Sequence, residues 1–166
     1  ITNLCNLNAL TSIKDNLIIR DFDDPTNITN LDDLANLVTV GSDGTGNLTI
    51  GGTVADDNTS FSAVQLSGLT TVNGTFTVSY NTAATSINFP ALTTTKGAVV
   101  ISQNNAALNI SLPGSLTLTG PSSLTINNNT ATGLDINIGD VLTASSVYIH
   151  DNTGLSDVTI GTVNLS

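Results

Sequence analysis

Carboxylates are the only abundant reactive groups in this chain: 13 Asp and no Glu, set against Lys14, Arg20 and Lys96, with one His and one Cys. Most fall in a run of irregular sequence: Asp21-Phe-Asp-Asp24, Asp32-Asp33, Asp43 and Asp56-Asp57. Paired carboxylates can cleave a glycosidic bond when one donates a proton and the other attacks or activates water. Several oxygens converging on one point can hold Ca²⁺. These groups could cluster along one edge. The nearby bases are only Lys14 and Arg20, so no acid, base and electrophile can be named together. The match of Asp21, Asp23 and Asp24 to a Ca²⁺ loop is poor, and the glycines of Asp43-Gly-Thr-Gly-Asn47 suit turn geometry. We expect solvated turn carboxylates, no catalytic residue, no metal site and no cofactor. His150 follows a predicted strand at a position filled elsewhere by Arg20, Gly51, Ser79, Ser102 and Asn127, and is expected on the surface. One His and one Cys cannot make a metal tetrad or a nucleophile–base pair.

The net charge of −10 opposes phosphate-backbone binding, which needs several Lys or Arg, and equally opposes anionic membranes. No apolar run approaches the ~20 residues of a membrane span, so neither nucleic acid nor direct membrane insertion is expected. Cys5 has no partner in the chain. It reads as a small core residue near the N-terminal cap or as half of an intermolecular or out-of-fragment disulfide. The chain opens at Ile1 with nothing like a signal peptide and is read as processed or as a fragment.

The elements that position these groups come from repetition. An apolar–x–apolar motif recurs at Leu17-Ile-Ile19, Leu48-Thr-Ile50, Phe76-Thr-Val78, Val99-Val-Ile101, Leu124-Thr-Ile126 and Val147-Tyr-Ile149. Alternation at period two is a strand pattern, with the first and third residues on one face. Three residues later stand Asn81, Asn104, Asn129 and Asn152. Asn tolerates the left-handed backbone of a sharp corner, and stacked amides can bond one another in a ladder. Phe22 and Thr53 hold that place in the first two repeats, so the ladder is expected to stop before them.

A second apolar pair follows each corner, at Ile87/Phe89, Ile110/Leu112, Ile136/Ile138 and Val158/Ile160, closed by Pro90, Pro113, Gly139 or Gly161. A third segment starts at Leu69, Leu92, Leu116 and Leu142, often ending in Gly as at Gly74, Gly97 and Gly120. Each repeat is thus a coil of three short strands and three turns. A lone coil cannot bury its apolar face, and stacking coils ~4.8 Å apart makes a continuous core. The prediction is one all-β domain over 1–166, a parallel β-helix or solenoid of about six coils, irregular over 1–65 and regular over 66–166. A β-sandwich gives no reason for corners at fixed offsets. Near 30–37, Asn30-Leu-Asp-Asp-Leu-Ala-Asn-Leu37 has a cap candidate and first-turn acids, which predict a short helix.

Seven acceptor sites for N-linked sugar occur, at Asn27, Asn47, Asn58, Asn73, Asn109, Asn128 and Asn164, where 21 Asn and 43 Ser plus Thr predict about five by chance. Placement at corners and outward positions gives them weight, with Asn73, Asn109 and Asn128 the best candidates. Pro90-Ala-Leu-Thr-Thr-Thr-Lys-Gly-Ala-Val-Val-Ile-Ser-Gln-Asn-Asn105, with its relatives around 69–81 and 142–152, resembles the leucine-rich receptor L-domain repeat. It is similar in particular to fungal GPI-anchored cell-wall organisation proteins related to sporulation-specific wall proteins. The resemblance covers about 66–164 well and 4–65 loosely. It implies a right-handed β-helix in a secreted, N-glycosylated, non-enzymatic wall protein. The chain departs from that family in lacking paired cap cysteines, a Ser/Thr-rich stalk and a C-terminal anchor signal; a lipid anchor would lie outside this segment.

The expected function is therefore structural, at the cell surface or in an extracellular wall, with wall polysaccharide or copies of itself as partners. Two alternatives stand beside it: a filament or sheath subunit stacking end to end, and a ligand- or carbohydrate-binding adhesin or receptor ectodomain. Ice binding would want flat threonine ranks. Thr49, Thr77 and Thr125 align, but Ile18, Val100 and Tyr148 interrupt them. The pattern starts and stops abruptly at both ends, so a further segment or another molecule is expected to cover them.

Overall fold

Strand-forming residues predominate here, and the coils take the shape their alternation requires. The computed structural model describes residues 4, 7–22, 28–54, 57–106, 109–112 and 114–165. The first coil contributes β1 (Ser12–Ile13) and β2 (Leu17–Ile19), and the second β3 (Thr39–Val40) and β4 (Leu48–Gly51). The third has β5 (Ala63–Gln65), β6 (Thr71–Val72) and β7 (Phe76–Ser79), and the fourth β8 (Ser86–Asn88), β9 (Thr94–Thr95) and β10 (Val99–Ser102). The fifth has β11 (Asn109–Leu112), β12 (Ser115–Leu118) and β13 (Ser123–Asn127). In the sixth, β14 (Thr130–Ala144) runs through a corner without a break before β15 (Ser146–His150). Then β16 (Thr153–Leu165) begins the next coil.

Every strand pairing is parallel. One wall is a six-stranded sheet in the order β15-β13-β10-β7-β4-β2. The other two walls form a ten-stranded sheet, β1-β3-β6-β9-β12-β14-β11-β8-β5, with β16 on β14. The protein is a parallel β-solenoid of about six turns. In the six-stranded wall Leu17, Leu48, Phe76, Val99, Leu124 and Val147 lie in register. The inner four are fully buried, while Leu17 and Val147, each with one covered side, are only partly so. Phe76 also meets Phe89 of the opposite wall edge-on, with centroids 4.6 Å apart, in the favourable T-shaped geometry.

Three local features depart from the sequence pattern. First, the segment near 30–37 makes only a single 3-10 turn, Asp32–Leu34. Its leucines Leu31, Leu34 and Leu37 recur every three residues, the 3-10 period, and all three are buried. Second, the third segments align leucine on leucine at Leu116 and Leu142 but not between the fourth and fifth coils. Thr94 pairs with Thr117 and Thr95 with Leu118, a shift of one residue. Leu92 closes a turn before its strand, donating its N–H to the Phe89 carbonyl at 3.2 Å, whereas Leu116 lies within its strand. Third, β5 brings Val64 beneath Ile87, one coil earlier than the second-segment repeat predicts.

Candidate functional site

The most elaborate polar arrangement lies inside the rod, at the corner after the six-stranded wall. A tight turn there places the residue before each ladder position at positive φ: Tyr80 at 55°, Gln103 at 57°, Asn128 at 54° and Asp151 at 54°. These turns aim the next side chain inward. Asn81 Nδ2 donates to Asn104 Oδ1, Asn104 Nδ2 to Asn129 Oδ1 and Asn129 Nδ2 to Asn152 Oδ1, each at 3.0 Å. The backbone N–H of the donating residue reaches the same oxygen at 3.1 Å in each case. Each Nδ2 also donates backwards to a carbonyl of the preceding coil: Ile50, Val78, Ile101 and, from Asn152, Ile126. One side chain thus ties three coils together. Asn81, Asn104 and Asn129 are fully buried, and burial makes each satisfied bond matter more than it would in water.

The ladder runs one coil further than its spacing from the apolar motif predicts. Asn58, five residues beyond Thr53, donates Nδ2 to Asn81 Oδ1 at 2.9 Å and to the Ile19 carbonyl at 3.3 Å. Its Oδ1 accepts the N–H of Phe22 at 3.2 Å, so the first coil joins through backbone alone. The insertion after Ile50 displaced the asparagine in sequence and left its place in space unchanged. Asn58 is also fully buried, which corrects its reading as a surface sugar acceptor: a folded rod has no room for a glycan there.

The remaining acceptor asparagines divide by environment. Asn109, Asn128 and Asn164 are exposed, and their side chains make no hydrogen bond within the described residues. Asn47 is exposed, but its Oδ1 accepts Thr75 N–H at 2.8 Å. Asn73 is half-buried and gives its Nδ2 to the Gly41 carbonyl at 2.9 Å. Asn27 and Cys5 lie outside the described residues, as do Asp23, Asp24 and Asp56.

Outward hydroxyls fall into two groups. At corners they staple coils: Thr70 Oγ1 donates to Val38 O, Thr93 to Thr70 O and Thr85 to Ser62 O, all at 3.2 Å. Others lie mid-strand. Thr39, Thr71, Thr94, Thr117 and Thr143 stand in one register, and among the described residues only Thr71 of these has a side-chain partner, the neighbouring Thr70. On the six-stranded wall Thr49, Thr77 and Thr125 share a rank with Ile18, Val100 and Tyr148.

Among the described residues the charged groups are dispersed. Asp43 caps its own loop, accepting Thr45 N–H at 3.3 Å, and Lys96 Nζ donates to Gly44 O at 3.2 Å across two coils. Asp33 accepts the N–H of Leu4 at 2.9 Å. His150 is exposed, with Nδ1 2.8 Å from Asp151 Oδ2. Among the described residues no three His, Cys, Asp or Glu gather to hold a metal, and no helix is long and apolar enough to cross a membrane.

At the two ends the apolar interior opens. A hollow of about 270 Å³ at the first coil is lined by Leu4, Leu10, Leu17, Phe22 and Leu34 among others. In the last coil Leu155, Val158, Val163 and Leu165 are 37–70% exposed. No protein-family model, curated protein or solved structure matches this chain. The class its fold defines is the parallel β-solenoid.

Proposed function

We propose that this chain is a structural, non-enzymatic solenoid of the cell surface or an extracellular wall, carrying N-linked sugar and lying against neutral wall polysaccharide. The observation that supports this most is the division of polar side chains. Buried amides and corner hydroxyls hold coils together. The outward positions between Asn58 and Leu134 carry short neutral groups, with Lys96 the one charge in that span. Such a surface offers hydrogen bonds to a polyhydroxylated neighbour without the hydration shell of a dense charge layer. Asn109 and Asn128, exposed with uncommitted amides, suit glycan attachment. The test is labelling of intact source cells with a membrane-impermeant reagent, followed by enzymatic deglycosylation. Surface labelling with a drop in apparent mass is expected. An intracellular, unmodified chain would sink the reading.

End-to-end stacking is the second reading, favoured by the exposed inward row of the last coil and the apolar hollow at the first. Negative-stain microscopy across a concentration series separates it from the first, because only stacking predicts rods longer than one chain.

A further inference from the structure

Asn58 belongs to two chemistries that need the same nitrogen. In sequence it opens Asn58-Thr59-Ser60, an acceptor for N-linked oligosaccharide. In the fold its Nδ2 gives one hydrogen to Asn81 Oδ1 and the other to the Ile19 carbonyl. Glycosyl transfer forms a bond from Nδ2 to the sugar C1 and breaks the C1–oxygen bond to a lipid-pyrophosphate-linked oligosaccharide donor. One Nδ2 hydrogen leaves as a proton, and the lipid pyrophosphate leaves with the electron pair. The product keeps one N–H where the ladder uses two, and attaches a sugar where the side chain has no exposed surface.

Two further observations set this site apart. The other ladder members are not acceptors, because Ala83, Ala106, Ala131 and Gly154 stand two residues after Asn81, Asn104, Asn129 and Asn152. Ser60, which completes the acceptor, has a buried Oγ with no hydrogen-bond partner among the described residues. We propose that Asn58 is a modification site whose occupancy and the folded rod exclude one another: a sugar added before the third coil closes stops the ladder at Asn81 and breaks the Asn58 bonds to Phe22 N–H and the Ile19 carbonyl that tie in the first coil. Asn109 and Asn128 tolerate the same modification in the folded state. The inference rests on the secretory, glycosylated part of the proposed function.

The experiment expresses the full chain in a eukaryotic secretory host and, in parallel, in a bacterial cytoplasm without N-glycosylation. Occupancy of Asn58 is read by mass spectrometry after deglycosylation in isotopically heavy water, in secreted and in retained chains. Asn58 sugar is expected only on retained, protease-sensitive chains. Ser60→Ala, which removes the acceptor and leaves the ladder intact, is expected to raise secretion several-fold while leaving bacterial yield unchanged. Sugar at Asn58 on secreted, protease-resistant protein would overturn the proposal, as would an unmodified Asn58 in both fractions. An equal gain from Ser60→Ala in bacteria would also overturn it, by assigning the effect to folding alone. Location on native cells is not read here, so failure of this inference leaves the proposed function standing, whereas an intracellular, unmodified native chain would remove both.

Discussion

The sixth coil and the strand that follows it carry the same pattern in register, yet they live in different environments. Leu134, Ile136, Leu142 and Ala144 pair with Leu155, Val158, Val163 and Leu165. The first four are at most 1% exposed and the second four at least 37%. Alternation decides which way a side chain points. Whether that direction is a core depends on the coil above and the coil below, as expected when stability is a sum of nearest-neighbour interfaces.

Leu124→Asp tests the covered side of that comparison most severely. It places a charge between two coils and is expected to lose about 4–5 kcal/mol or more, abolishing cooperative unfolding of the middle coils in a denaturant melt. Leu155→Asp, at an inward but uncovered position, should lose about 1 kcal/mol or less. Equal losses would show that the last coil is covered in solution.

Removing a ladder rung should be position-dependent in the same way. Asn104→Ala takes the acceptor from the buried Asn81 N–H, one of three acceptors from Asn81 Nδ2 and a donor from the Val78 carbonyl, and about 3 kcal/mol of destabilisation is expected. Asn152 is itself only half-buried, so Asn152→Ala lets water take its place beside Asn129, and the loss should be nearer about 1 kcal/mol. Hydrogen exchange at Asn81 and Asn129 N–H would read each rung separately.

Glycine sharpens the comparison at the backbone. Gly51 (φ 96°) has no space for a Cβ, which would collide with the Ser79 carbonyl oxygen of the next coil. Gly133 (φ 79°) has a similar backbone but open space around it. Gly51→Ala should therefore force two coils apart and lower Tm by many degrees, whereas Gly133→Ala should show only the left-handed penalty of about 1 kcal/mol. The smallest effect is expected from Gln103→Asn. It keeps the left-handed corner and replaces a residue that disfavours it, so a gain of about a few tenths of a kcal/mol should appear in the melting curve.

Much of the ladder was legible because its members sit at one offset from an apolar motif. Asn58 was missed by that rule and could have been found by another. It lies 23 residues before Asn81, the same interval as Asn81 to Asn104 and Asn129 to Asn152. Local offset fails where a loop is inserted within a coil, because the strand stays and the corner moves along the chain. The acceptor motif at Asn58 meets a related limit: three residues of sequence do not reveal whether an amide faces solvent or a neighbouring coil.

By itself the sequence determined the class of fold, the six apolar strands of one wall, their mutual register and four of the ladder asparagines. All of these follow from period-two alternation and a corner residue that tolerates positive φ. The one-residue shift of Thr95 onto Leu118, the inward turn of Asn58 and the contrast between Leu142 and Val163 were decided only by the tertiary structure. Each depends on what occupies the adjacent coil, some 20–30 residues away in sequence and about 4.8 Å away in space.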